Sequence, residues 1–188
     1  MAGARIKEYA RTIVTELSDV FSRLDENQIT SFEDRIINAR RIIVIGVGRE
    51  GLAARGFTMR LMHLGKDVHW VWDDTTPSLA AGDLLIAVSG CGKIGHIQYV
   101  IDKAKERGAS VVVVTGDPGQ KAVEYADSVL FVPAAVYLGT ADVVKSIQPM
   151  GNLFEQSLFI VFDMIIMDLA DTLHVSTSDM ERRHRNIE

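Results

Sequence analysis
Apolar side chains recur at helical spacing through the first 40 residues. Ile6, Tyr9, Ile13, Leu17, Val20 and Leu24 share one face of a helix over about residues 4–24. Ile29, Phe32, Ile36 and Ile37 mark a second, shorter helix. The period then changes. Continuous apolar runs of strand length occupy 41–47, 67–72, 83–89, 110–115 and 128–132. Helical segments separate them at 50–64, 95–107 and, shorter, 120–126, and only 75–81 lacks a convincing helix. Runs of Val, Ile and Leu suit strands covered on both faces, and alternation with helices implies parallel pairing through right-handed crossovers. A long helix at about 151–173 closes the pattern, followed by a polar tail ending in "MERRHRNIE". The pattern predicts one α/β domain over 1–188, with five parallel strands ordered 2-1-3-4-5 and residues 1–40 as a helical N-terminal arm.

Composition narrows the possibilities. A chain of 188 residues is too short for a dinucleotide domain plus a separate substrate domain. A net charge of −5 offers no basic field for nucleic acid or an anionic membrane. The single cysteine, Cys91, excludes an internal disulfide framework and fits a reducing, cytoplasmic setting. The most apolar late stretch contains Glu155, Asp163, Asp168 and Asp171, which argues against a membrane span.

Candidate chemistry gathers where strands end. In an open parallel sheet, ligands bind beyond the carboxyl ends of the strands, at the switch between strands 1 and 3. Both ends are glycine-rich: strand 1 runs into "GVGREG", with Gly48, Arg49 and Glu50, and strand 3 into "SGCGK". Each leads to a helix whose free N–H groups suit an anion. Gly46, Gly48 and Gly51 match the G-x-G-x-x-G dinucleotide fingerprint, with Asp73 and Asp74 about 20 residues on. Glycines after strands also serve as plain tight turns. Two convergent anion loops favour a crevice for a phosphorylated small molecule over a pyrophosphate site.

Five segments together carry a resemblance: "GVGREGLAARGFTMRLMHLG", "TTPS", "GDLLIAVSGCGK", "MGNLFEQ" and "RHRNIE". From about residue 30 onward the chain resembles the 6-phospho-3-hexuloisomerase family, within the sugar isomerase (SIS) domain superfamily. The resemblance implies a flavodoxin-like SIS sandwich and a homotetramer. It also implies interconversion of 3-hexulose 6-phosphate and fructose 6-phosphate, with no cofactor and no metal. Moving the carbonyl from C3 to C2 takes a proton off C2 and returns one to C3 through a cis-enediolate, work that one carboxylate can do. Glu155, in "GNLFEQ", matches the base. Of the five histidines, His184 and then His63 are favoured for ring opening or proton shuttling, because both lie in matching segments.

The phosphate loops depart from the family pattern. SIS domains carry a serine in the first loop and Ser-x-Ser-x-x-Thr in the second. Here the first-loop position is Glu50, and the second loop reads Ser89, Gly90, Cys91, Gly92, Lys93, Ile94, keeping only the first hydroxyl. Glu50 sets a negative group where phosphate should lie, with Arg49 and Lys93 as possible offsets. Three readings stay open: an active phosphosugar isomerase, a sugar-phosphate-binding module without turnover, and an SIS enzyme for another substrate. Retention of "GNLFEQ" favours turnover. A DNA-binding arm is not expected, since residues 1–40 lack a basic recognition helix.

Overall fold
The computed structural model describes residues 2–187; Met1 and Glu188, at the two ends of the expected domain, lie outside the described residues. Two helices, α1 (Ala2–Ser22) and α2 (Glu26–Asn38), precede β1 (Arg41–Ile45), α3 (Gly48–His63) and β2 (Val68–Trp70). Then come β3 (Asp83–Val88), α4 (Gly95–Glu106), β4 (Ser110–Thr115), β5 (Ser128–Phe131), α5 (Asn152–Thr172) and α6 (Thr177–Arg183). The strands form one parallel sheet in the order β2-β1-β3-β4-β5, as the apolar runs predict.

Successive side chains on a strand point to opposite faces, so each strand feeds two cores. Ile42, Val44, Leu84, Ile86, Val112 and Val114 pack with α2, α3 and α5. Ile43, Ile45, Leu85, Ala87, Val111 and Val113 pack on the other face with Ile97, Ile101 and Ala104 of α4. The N-terminal helices belong to the first of these cores, where Val20, Phe32 and Ile36 are fully buried. Among the described residues no helix is long and apolar enough to cross a membrane.

Two segments differ from the sequence pattern. Residues 120–126 form only a single 3-10 turn, Lys121–Val123, with Ala122 buried in the second core and Val123 and Ala126 packed partly against it. The polar tail folds into α6, held by a capping box between Ser176 and Asp179. It buries no residue, so its apolar pattern carried no signal.

Candidate functional site
The register of β1 and β3 pairs Arg41 with Asp83 through to Ile45 with Ala87, so the two strands end almost level. Their loops therefore emerge side by side. The fingerprint glycines have a local explanation. A Cβ on Gly51 would lie 2.9 Å from the Gly46 carbonyl, so these two glycines let α3 start directly against the end of β1. Gly48 turns the chain with a φ of +58° and has open space around it. Asp73 pairs with Arg55 at 3.8 Å.

Glu50, in the first turn of α3, points inward. Its Oε2 accepts the Gly90 N–H at 2.7 Å, tying the first loop to the second. Gly90 has no room for a side chain, since a Cβ there would lie 2.8 Å from Glu50 Oε2 and 3.0 Å from the Phe154 ring. Glu50 Oε1 and the hydroxyl of the fully buried Ser89 have no hydrogen-bond partner among the described residues. Burial pushes the Glu50 carboxyl up, the Gly90 N–H partly offsets this, and Glu155 adds to it, leaving Glu50 at about 7.

Glu155 lies in the first turn of α5, and its own N–H bonds to Gly151 at 3.1 Å. The Arg49 side chain donates from Nε to Glu155 Oε2, so one residue of the first loop holds the carboxylate at the head of α5. The Glu155 side chain is 18% exposed and Arg49 61%. The next residue back, Phe154, is buried against Gly90 and Gly116, at the ends of β3 and β4. Position and access are thus divided: Phe154 anchors the helix start, and Glu155 stays partly exposed beside Arg49.

The sequence had not singled out the third wall. Asp117, just after β4, accepts from the Thr140 N–H at 2.7 Å, the Thr140 hydroxyl at 3.0 Å and Gln120 at 3.1 Å. Burial alone would raise Asp117, but these bonds and one from the Gly119 N–H hold it below the usual carboxylate range. The segment between β5 and α5 is thereby fixed over the strand ends, helped by the pairing of Ala134 with Val144. Lys93 reaches the same segment, donating to the Leu138 carbonyl at 3.3 Å. Pro118 and Gly119 mark a turn in the sequence, but a turn does not say what it binds.

Of the other expected residues, Cys91 is partly buried and Gly92 forms a left-handed turn packed against Gln120. Ile94 caps α4 and packs partly into the second core, contributing only backbone to the loop. His63 and His184 do meet, with ring centroids 5.2 Å apart. They meet at the far end of α3, 13 residues or about 20 Å from Glu50 along the helix. There they line a cavity of about 370 Å³ with Arg60, Thr177, Met180 and Glu181. Burial, then Arg60 and His184, hold His63 below its usual range. Within one chain, the histidines and Glu155 are apart.

The comparisons with known proteins bear on the family and the fold. Residues 35–160 match the SIS domain model. The chain is 36% identical to 3-hexulose-6-phosphate isomerase of Mycobacterium gastri, over 92% of this chain and 86% of that protein. It is 34% identical to 3-hexulose-6-phosphate isomerase of Bacillus subtilis, over 96% of this chain and 98% of that protein. A solved Methanococcus jannaschii structure, described as inferring a function of 3-hexulose-6-phosphate isomerase, superposes with a TM-score of 0.84 at 32% identity, covering 96% and 99% of the two chains. Fold and sequence similarity converge: the chain belongs to the SIS domain family, among the relatives of 3-hexulose-6-phosphate isomerase.

Proposed function
We propose that the protein is a phosphosugar isomerase interconverting 3-hexulose 6-phosphate and fructose 6-phosphate. The observation that carries this reading is the Glu155 carboxylate, partly exposed at the head of α5 and held there by Arg49 of the loop after β1. Glu155 takes the proton from C2, leaving a cis-enediolate; the O2 hydroxyl proton passes to O3, and Glu155 returns its proton to C3. The proton moves between neighbouring carbons, so no electron acceptor is needed and no cofactor enters the proposal. The Arg49 guanidinium lies beside the carboxylate, where it stabilises the charge of the enediolate. The backbone of the second loop and Lys93 are the phosphate donors.

The working form in this reading is a homo-oligomer, most simply a tetramer. Support comes from the outer face of α3 and α5, where Leu52, Met59, Phe159, Met164 and Met167 stand exposed. Assembly also gives the distant histidines a role, with His184 foremost and His63 behind it serving a neighbouring subunit's site. The ligand is a small sugar phosphate, with no nucleic acid or membrane involved, and an unpaired Cys91 fits a cytoplasmic location. The test is turnover by Glu155→Gln, which should fall by at least about 10²-fold while fold and assembly persist. A folded variant with near-normal turnover would move the base elsewhere.

A further inference from the structure
A carboxyl already sits on the loop that would receive an anion. Glu50 Oε2 takes the Gly90 N–H, and this oxygen and the Phe154 ring both crowd Gly90. Its second oxygen is sealed from solvent without a partner among the described residues, as is the hydroxyl of Ser89 beside Gly90. A buried carboxylate with one bare oxygen is costly, whereas a neutral carboxyl leaves Oε2 as the acceptor for Gly90 and puts the proton on Oε1.

We infer that Glu50 is a specificity-determining residue: the ligand's anionic group binds the form in which Glu50 carries a proton, so binding draws a proton from solution. The reason is electrostatic. An anion at the second loop lies a few Å from the Glu50 carboxyl, and like charges at that range in a dehydrated crevice repel strongly. The other charged or titratable groups around Glu50 are Arg49, Glu155 on α5, and Cys91 and Lys93 in the loop. Arg49 is engaged with Glu155 and Lys93 with Leu138, so neither neutralises Glu50 directly. With Glu50 at about 7, the competent form is plentiful on the acid side of neutrality and declines above it.

This inference rests on the sugar-phosphate reading of the crevice, and calorimetry separates the two. Fructose 6-phosphate and inorganic sulfate, whose charge does not change in this range, are titrated into the full chain between pH 7 and 9. Two buffers of different ionisation enthalpy are used, which reads proton uptake directly. In the parent, affinity for both anions should fall by up to about tenfold per pH unit above 7, with uptake approaching one proton. Glu50→Gln is neutral at every pH, keeps an acceptor for Gly90, and leaves all the neighbouring groups in place. It should bind with a flat profile and no proton uptake; Glu50→Ser, a smaller neutral residue, should be equally flat if the glutamine variant folds poorly. A flat parent profile, or the parental slope retained in both variants, overturns the inference, as does failure of every protein to bind either anion. Proton-coupled sulfate binding without any fructose 6-phosphate binding would uphold the inference and sink the sugar-phosphate reading instead.

Discussion

Glu33 shows at a second place what burial does to a carboxyl. It lies on α2, hydrogen-bonded to Asp168 of α5, and both line a cavity of about 470 Å³ with Phe21, Leu24 and Ile165. Burial, then the charge and hydrogen bond of Asp168, then Asp34, raise Glu33 to about 7. A group whose folded pKa exceeds its unfolded value near 4.5 favours the folded state fully below that value, and this contribution is lost as pH rises through about 7. Thermal melting between pH 5 and pH 8 should therefore show stability falling as pH rises, and Glu33→Gln should shrink the fall. An identical slope in parent and variant would remove Glu33 from the account. Glu33 shares the apolar face of α2 with Ile29, Phe32 and Ile36, and Glu50 sits at a helix start where acids are ordinary, so neither position names the group it meets. Those groups lie far along the chain, Asp168 for one and Gly90 for the other.

Among the elements, the strands were the most legible. The runs of β1, β3 and β4 are covered on both faces, so their composition alone reports central parallel strands, whereas the edge strands β2 and β5 are only partly buried. The strand order follows from the crossovers, and the crevice at β1 and β3 follows from the order. Elements held by polar contacts were harder to read. The segment between β5 and α5 takes its shape from Asp117 and Thr140, a pairing that no local pattern announces. α6 did leave a sign, because Ser176 and Asp179 have the spacing of a capping box. That box predicts an effect. Ser176→Ala should cost about 1 kcal/mol of local stability, and hydrogen exchange over 177–183 should quicken while the sheet is unaffected. Arg183, which donates to the His63 carbonyl at 2.9 Å, should loosen with it and carry His184 away from His63. Unchanged protection across α6 would show that the cap does not hold it.

On the scale of the whole molecule, α3 and α5 form a packed pair, with Phe57 stacked on Phe162 at 4.3 Å inside and methionines and Phe159 exposed outside. Such a face asks for a partner, and symmetric assembly of identical chains is the common answer. Light scattering at micromolar concentration should give a multiple of 20.7 kDa, about fourfold for the tetramer. The double change Phe159→Glu and Met167→Glu should shift the mass downward and lower turnover with it. A monomeric parent would contradict the assembly. The central claim is narrower, that Glu155 moves a carbon-bound proton of a sugar phosphate. NMR of fructose 6-phosphate incubated with the protein in D₂O tests it most directly. The account predicts that solvent deuterium replaces the proton at C3 in the presence of the parent protein, and that Glu155→Gln, still folded and assembled, slows this exchange by at least about 10²-fold. No exchange with the parent, or equal exchange with the variant, would contradict it.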